Sequence, residues 1–220
     1  MERDQRGKSV RETYDRIAAH FAKTREYAWP EVESFVRDRG SEAPGSRALD
    51  LGCGNGRHAE LLCEHGFEVT GIDVSEGLLG EAKERGRERG FASGVEWVQA
   101  DAAALPIRSG VVDLGLYVAT LHHLAPRDVR VASLSELARV LGSEGRALVS
   151  AWSTDHDRFD ASEGFDTTVD WTLPGGETVT RYYHIYDPGE FETDLAESEL
   201  SVIESEVSSG NCYAVVRGEE

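Results

Sequence analysis

A chain of 220 residues is long enough for one α/β domain with a sizeable core, and its 41 acidic against 23 basic residues give a net charge of −18. No run of 18 apolar residues occurs and residues 1–16 are charged throughout, which argues against a membrane span or signal peptide and predicts a cytoplasmic protein. Three cysteines without CxxC spacing argue against a disulfide framework and a zinc site, so we expect no bound metal.

The basic residues are unusual because only three of the 23 are lysines. Dispersed acids with few lysines suit a protein that stays hydrated in molar salt, which predicts a halophilic host; the alternative is an ordinary acidic protein. In molar salt, long-range attraction to phosphate is screened. Nucleic acid would then be held by arginine forks, stacking and shape, so the net charge neither favours nor excludes it.

The first two thirds of the chain alternate between helical and strand patterns. Residues 9–40 are predicted to be helical and 40–46 to be a linker. Predicted strands follow at 47–52, 67–75, 94–101, 111–120 and 146–152, with helices near 57–65, 76–89 and 127–141. Strands separated by helices predict a parallel, doubly wound sheet with right-handed crossovers.

The last third breaks this rhythm. Residues 153–181 are polar and are predicted to be a loop, within an inserted substrate-side segment 153–186. A helix begins with Asp187 as its N-cap, and two strands then end the chain as an antiparallel hairpin. The whole chain, 1–220, is thus predicted to be one α/β domain with a mostly parallel seven-stranded sheet and an N-terminal helical cap at 1–40.

A glycine cluster marks the predicted cofactor site. "ALDLGCGNGRH" leads from the first strand into a helix with G-x-G-x-G spacing, and acids end the first three strands. Glycines allow close backbone approach, and strand-end acids accept hydrogen bonds from a ribose diol or an adenine amino group. The alternative is a turn cluster in which the acids only cap helices. The predicted cofactor-binding residues are Asp50, Gly52, Gly54, Gly56, Asp73, Val74, Asp101 and Ala102.

The glycines, Asp50, Asp73 and "QADAAALP" together resemble the class I S-adenosylmethionine-dependent methyltransferases, whose fold is Rossmann-like. Further segments resemble the tRNA wobble-uridine carboxymethyl methyltransferases over nearly the whole chain: "YDRIAAHFAKTREYAWP", "ATLHHL", "ELARVLGSEGRALVSAW", "RYYHIYDPGEFE" and "GNCYAVV". That family esterifies the carboxylate of 5-carboxymethyluridine at the anticodon wobble position.

The resemblance implies S-adenosyl-L-methionine as cofactor and a tRNA anticodon stem-loop as substrate. It also implies a heterodimer with a small zinc-binding activator subunit, which pairs with an edge strand of the sheet. The candidate edge is residues 94–100, where Val95 and Trp97 share one face.

The implied reaction needs no general base, since a carboxylate is ionised at neutral pH. It needs positioning and exclusion of water, which donors that bind a carboxylate provide. The predicted catalytic residues are Arg25, His122, Arg127, Arg181 and His184. Stacking or substrate contact is predicted for Trp29, Tyr183 and Asn211, with Tyr182 as a further stacking candidate. Arg25 alternatively binds the cofactor's carboxylate or only pairs with a surface acid.

The adjacent histidines His122 and His123 follow a predicted buried strand. They could be metal ligands, a base, a substrate clamp or a polar cap. Neighbouring residues at a strand end point in opposite directions, and no cysteine or acid cluster completes a metal site. We expect His122 to face the pocket as a donor and His123 to cap or pack locally.

Two other functions compete with RNA methylation. A small-molecule methyltransferase would turn over small acids and ignore RNA, and a catalytically silent partner would bind the cofactor without turnover. A nicotinamide oxidoreductase is disfavoured by the glycine spacing.

Overall fold

The computed structural model describes residues 2–39 and 45–219, which form two sheets flanked by helices. The helices are α1 (Glu2–Thr24), α2 (Pro30–Asp38), α3 (Arg57–Glu64), α4 (Glu76–Arg89), α5 (Arg127–Val140) and α6 (Pro188–Ala196). The strands are β1 (Arg47–Leu51), β2 (Glu68–Asp73), β3 (Val95–Gln99), β4 (Val112–Val118), β5 (Leu141–Trp152), β6 (Phe165–Thr172), β7 (Thr178–Ile185), β8 (Leu200–Ser208) and β9 (Asn211–Gly218).

The main sheet has seven strands in the order β3-β2-β1-β4-β5-β9-β8. The first five are parallel, while β9 runs antiparallel to β5 and to β8. This confirms the predicted doubly wound, mostly parallel sheet with an antiparallel C-terminal hairpin. The strand β3 lies at one edge, as the predicted partner-pairing strand requires, and both Val95 and Trp97 pack against the core.

The central strands are buried because helices cover both faces of the sheet. Leu49 of β1, Leu116 of β4 and Val149 of β5 are fully buried. Burial on this scale fixes the strand ends, and with them the loops at the carboxyl edge of the sheet. No helix in the described part of the chain is both long and apolar enough to span a bilayer.

The N-terminal region forms two helices rather than one continuous helical stretch. The chain leaves α1 after Thr24, and Pro30 begins α2, as expected for proline in a first helical turn. The carboxylate of Asp15 on α1 accepts hydrogen bonds from Ser75 Oγ at 2.7 Å and from the Gly77 N–H at 2.9 Å. This contact docks α1 on the start of α4.

The prediction of a loop at 153–181 is wrong, because β6 and the first half of β7 lie within it, and the two strands form a separate sheet. Buried Val169 and half-buried Trp171 alternate with exposed Asp166 and Asp170. The exposed face of β6 is polar, so the alternation typical of a strand was read as a polar loop. The Trp171 ring donates its Nε1–H to His20 Nδ1 on α1 at 3.0 Å, so the hairpin packs on that helix. Most of the predicted linker, 40–44, lies outside the described residues.

Candidate active site

A cavity of about 200 Å³ opens at the carboxyl edge of the main sheet. Its walls are the loop after β1, the end of β2, residues 100–102, the residues after β4 and one face of α1. Open α/β sheets bind their ligands at this edge. We call this space the cofactor cavity.

The glycine loop forms one wall of the cofactor cavity. Gly52 has a φ of +74°, and a Cβ atom there would lie 2.1 Å from Thr120 Oγ1. A Cβ at Gly54 would meet only Phe21, at 3.7 Å. Gly52 and Gly54 line the cavity, whereas Gly56 lies behind it, where a Cβ would be 2.8 Å from the Trp97 ring. Gly56 therefore permits close packing of the loop on β3 and is not a cavity contact.

Two buried acids support this wall. Asp73 lines the cavity and accepts hydrogen bonds at 2.9 Å from the N–H groups of Gly54 and Ser75. Asp50 lies beneath the cavity at 1% exposure, and its Oδ2 has no hydrogen-bond partner among the described residues. Burial raises the pKa of Asp50 to about 7 and that of Asp73 to about 6. The loop is thus held by groups that do not reach bulk water.

The other predicted cofactor contacts, Val74, Asp101 and Ala102, also line the cavity. Asp101 Oδ1 accepts a hydrogen bond from the Ala103 N–H at 2.9 Å, which orients the carboxylate at the end of the wall.

Arg57 is a cavity residue that the sequence analysis missed. It is the first residue of α3, directly after the glycine loop, and its guanidinium lies 5.3 Å from the centre of the Trp29 ring. Burial and the nearby Arg25 lower the pKa of Arg57 to about 10, so it stays cationic at neutral pH. Its position after the last glycine was the available sequence signal, because a helix start beside a ligand loop faces that ligand.

The structure reverses the predicted roles of the histidine pair. His123 lines the cofactor cavity, whereas His122 is 2% exposed and is not among the lining residues. His122 Nδ1 accepts a hydrogen bond from the Trp152 N–H at 3.1 Å. The cause is local: residues Leu121–His123 form a 3₁₀ turn instead of a strand end, which rotates the two side chains differently.

His123 is held from both ring nitrogens. Its Nδ1 lies 2.9 Å from the carbonyl oxygen of Tyr182, and its Nε2 lies 2.8 Å from the hydroxyl of Tyr14. A carbonyl only accepts, so Nδ1 carries the proton and Nε2 accepts from Tyr14. Burial lowers the pKa of His123 to about 4, so the ring is neutral at physiological pH. Tyr14, on α1, also escaped the sequence analysis.

Arg25 and Arg181 both pack against the ring of Trp171, near Tyr14 and His123. Their guanidinium carbons are 5.5 Å and 4.8 Å from the centre of Trp171. Arg181 is also 5.2 Å from the ring centre of Tyr183, which is 4% exposed and stacks on Trp152 at 4.8 Å. Tyr183 therefore packs against the guanidinium group of Arg181, and it has little exposed ring surface for stacking on a base.

The remaining predicted catalytic residues lie away from the cavity. Arg127 binds Asp194 at 2.7 Å and Glu197 at 2.9 Å, on the far side of α5. His184 lies between Asp166 Oδ1, at 2.8 Å, and Glu190 Oε1, at 2.9 Å. Both belong to a network that joins the β6–β7 hairpin to α5 and α6, so neither is available as a cavity donor.

Two predicted substrate contacts are also elsewhere. Trp29 packs against the core below Arg57 and does not line the cavity. Asn211 is 5% exposed and donates to the Ser209 carbonyl at 3.1 Å in the β8–β9 turn, with its Oδ1 unpartnered among the described residues.

Comparison with known families agrees with this architecture. A family model described as a methyltransferase domain matches residues 49–149. The Mus musculus tRNA (carboxymethyluridine(34)-5-O)-methyltransferase is 37% identical over 150 residues, covering 68% of this chain and 21% of its own. The enzyme of that name from Schizosaccharomyces pombe is 26% identical over 240 residues and covers 98% of both chains. The chain spans about a fifth of the length of the vertebrate relatives, such as the mouse protein.

Solved structures show the same fold at low sequence identity. The 1,6-didemethyltoxoflavin-N1-methyltransferase of Burkholderia thailandensis has a TM-score of 0.74 at 18% identity, over 99% of this chain and 91% of its own. The CcbJ methyltransferase of Streptomyces caelestis has a TM-score of 0.72 at 21% identity, over 94% and 98%.

The residues of the cofactor cavity fit S-adenosylmethionine, as the methyltransferase domain indicates. Gly54 leaves open space for a ligand, the carboxylates of Asp73 and Asp101 would accept hydrogen bonds from ribose hydroxyls and an adenine amino group, and Arg57 would be the cation for the amino-acid carboxylate. The unpartnered Oδ2 of Asp50 is a further acceptor below the loop. The predicted family is thereby confirmed: the chain is a homologue of the tRNA carboxymethyluridine(34)-5-O-methyltransferases, built on the class I S-adenosylmethionine-dependent methyltransferase fold.

Proposed function

We propose that this protein transfers a methyl group from S-adenosylmethionine to the carboxylate of 5-carboxymethyluridine, or of a related side chain, at the tRNA wobble position. The product is a methyl ester. The names of the sequence relatives support this reaction, and the Schizosaccharomyces pombe relative does so along the full length of the chain.

The observation that carries the proposal is a group of cations without carboxylate partners. Arg25, Arg57 and Arg181 lie at or beside the cofactor cavity, and within the described part of the chain none of them has an acid within ion-pair distance. By contrast, Arg85 and Arg130 both bind carboxylates. Arg57 is the cation for the cofactor's carboxylate. In a protein with a net charge of −18, the two further free cations beside the methyl-donor site, Arg25 and Arg181, indicate an anionic acceptor.

The chemistry matches these residues. When bound, S-adenosylmethionine supplies an electrophilic sulfonium methyl group. A carboxylate oxygen forms the new O–CH₃ bond with its lone pair while the S–CH₃ bond breaks and its electrons return to sulfur. No proton moves, so no base is needed, and the neutral His123 is consistent with that. Arg25 and Arg181 bind and orient the acceptor, and the packed rings of Phe21 and Trp171 exclude water.

The proposal extends to two partners. We propose that the tRNA anticodon stem-loop is held by arginines and stacking more than by long-range attraction, because the chain is so acidic. We also propose that a small zinc-binding activator subunit pairs with the backbone edge of β3, which is an end strand of the sheet. Cytoplasmic location and a halophilic host remain part of the same proposal.

The test uses purified protein in molar potassium chloride, with and without the activator. Methyl-labelled S-adenosylmethionine is added with tRNA from a strain that lacks this gene, and the recovered RNA is treated with mild alkali. Label that enters tRNA and is released as methanol is the expected result for a carboxyl ester.

The other outcomes separate the alternatives. Alkali-stable label in tRNA would mean base or ribose methylation and would refute the carboxylate acceptor. Label only in small acids would favour a small-molecule methyltransferase. Cofactor binding without label in any fraction, activator included, would favour a silent partner. Asp73→Ala is the negative control, because it removes an acid that lines the cofactor cavity and should abolish labelling.

A further inference from the structure

A second cavity of about 170 Å³ lies between α1, the His123 turn and residues 180–182 of β7. It is lined by Val10, Tyr14 and His123, which also line the cofactor cavity, and by Arg181 and its neighbours Thr180 and Tyr182, which do not. We call it the acceptor cavity. The two spaces therefore share a wall made of one apolar and two polar side chains.

Arg181 is a buried cation with unused hydrogen-bonding capacity. It is 7% exposed, and its Nε–H has no partner among the described residues. It lines the acceptor cavity beside Tyr14 and rests on the faces of Trp171 and Tyr183. A buried charge without a counter-ion is costly, and an anionic ligand would remove that cost.

A second buried arginine, Arg130, shows the contrast. Arg130 is 3% exposed, and it lies 3.3 Å from Glu190 and 3.6 Å from Asp194. Two arginines at similar depth thus differ in whether the protein supplies an anion. Arg57, the cation of the cofactor cavity, does not line the acceptor cavity. Each cavity is therefore lined by a different arginine: Arg57 lines the cofactor cavity and Arg181 lines the acceptor cavity.

We propose that the acceptor cavity binds the carboxylate of the methyl acceptor on Arg181, with Tyr14 and His123 forming the wall that orients it toward the cofactor cavity. This inference rests on the proposed function and names the site that selects its substrate. The guanidinium binds the non-attacking oxygen, which leaves the other oxygen free to accept the methyl group. Arg181 then discriminates between a carboxylate and a neutral amide of the same shape.

The test compares binding of two anticodon stem-loop oligonucleotides. One has 5-carboxymethyluridine and the other 5-carbamoylmethyluridine at the wobble position, and S-adenosylhomocysteine is present at saturation. Wild-type protein should prefer the carboxylate by about tenfold or more, as charge-assisted hydrogen bonds do. Arg181→Gln should remove this preference while the affinity for S-adenosylhomocysteine stays unchanged.

Two further variants keep the result interpretable. Arg181→Lys retains the charge and should retain part of the preference, even if Arg181→Gln folds poorly. Arg16→Gln is the matched control, because this exposed arginine pairs with Glu177 of the hairpin and lies in neither cavity. It should bind both oligonucleotides like the wild type.

Different results would refute the proposed function and the assignment of Arg181 to the acceptor carboxylate. If wild-type protein methylates the carboxymethyl stem-loop but Arg181→Gln and Arg181→Lys both keep the full preference, the acceptor-site assignment is wrong and the proposed function stands. If wild-type protein neither methylates nor prefers the carboxymethyl stem-loop, the proposed function fails and the assignment fails with it.

Discussion

The hydroxyl of Tyr14 lies 2.8 Å from Nε2 of His123, although the two residues are 109 positions apart in the sequence. This hydrogen bond joins α1 to the turn after β4 and spans the wall between the cofactor and acceptor cavities. Together with the Tyr182 carbonyl at Nδ1, it leaves His123 one tautomer. Burial keeps the ring neutral by lowering its pKa to about 4.

The first prediction concerns this tautomer. In ¹⁵N NMR spectra of histidine-labelled protein, His123 should show a protonated Nδ1 and no titration between pH 5.5 and 8. Tyr14→Phe removes the donor to a buried nitrogen and should destabilise the fold by about 1–3 kcal/mol. A His123 titration midpoint near the ordinary value of about 6.5 would contradict the burial argument.

The second prediction concerns Gly52. Alanine there meets two costs, a φ of +74° and a Cβ that would overlap the side chain of Thr120. Gly90→Ala is the matched control, because Gly90 has a φ of +82° with nothing within 4 Å of the added Cβ. Gly90→Ala should cost about 1 kcal/mol of unfolding free energy.

Gly52→Ala should cost about 1–3 kcal/mol more than Gly90→Ala, since the clash adds to the backbone strain. It should also abolish binding of S-adenosylhomocysteine. Denaturant unfolding and isothermal titration calorimetry measure the two effects. Equal costs for the two variants would show that Thr120 moves away freely.

The third prediction is a pH dependence from Asp50. Its pKa is raised from an ordinary 3.8 to about 7 by burial. Between these values the folded protein holds a proton that the unfolded chain has released, so the unfolding free energy falls as the pH rises. Asp50→Asn mimics the protonated form. Without cofactor it should match the wild type near pH 4 and exceed its stability near pH 7.5, by an amount on the order of 4 kcal/mol.

The comparison with Asp50→Asn is needed because buried histidines act in the opposite direction. Burial lowers the pKa values of His58, His122 and His123, so their contribution to stability is lost as the pH falls. These groups are present in both proteins. Subtracting the two stability curves, measured by urea unfolding from pH 4 to 8, removes the contributions of His122 and His123. His58 Nδ1 lies 3.9 Å from Asp50 Oδ1, so the difference reports Asp50 together with any change at His58. A flat difference would refute the raised pKa of Asp50.

The cofactor wall could be predicted from the sequence because its signals are local. The glycines, Asp73 and Asp101 each follow a strand within a few residues, and parallel strands bring their carboxyl ends to one edge. The doubly wound, mostly parallel sheet followed from the alternation of strands and helices for the same reason. Gly56 and Asp50 depart from the predicted set, because Gly56 packs against Trp97 on a different strand and Asp50 is buried beneath the cavity.

Arg25 and Arg181 were predicted through the family resemblance, but the rest of the acceptor side could not be predicted because it depends on long-range packing. His122 and His123 exchange roles through a 3₁₀ turn, which a two-residue pattern does not reveal. Arg127 pairs with two acids about 70 positions away in the sequence: Asp194 on α6 and Glu197 directly after it. Whether an arginine faces a cavity or an acid is therefore decided by the tertiary structure.

The last prediction compares alanine variants of Arg127 and of Asp194, which form an ion pair between α5 and α6. Arg127 has a 44% exposed side chain, whereas that of Asp194 is fully buried and binds Arg127 Nε at 2.7 Å and the Tyr186 hydroxyl at 2.9 Å. Arg127→Ala removes a solvent-exposed partner, so it should cost less than about 1 kcal/mol of unfolding free energy. Methyl transfer should stay within about twofold of wild type, because Arg127 reaches neither cavity.

Asp194→Ala should behave differently, since it leaves buried Arg130 without one of its two acids. A loss of about 3–5 kcal/mol is expected, because an uncompensated buried charge remains. Asp194→Asn keeps the shape and a hydrogen-bond acceptor for Tyr186, and it should lose less. Thermal and urea unfolding measure stability, and labelled methyl transfer measures activity. A large loss of methyl-transfer activity in well-folded Arg127→Ala would show that Arg127 acts in the active site after all. Equal destabilisation by Arg127→Ala and Asp194→Ala would show that the burial of the side chain does not determine the loss of unfolding free energy.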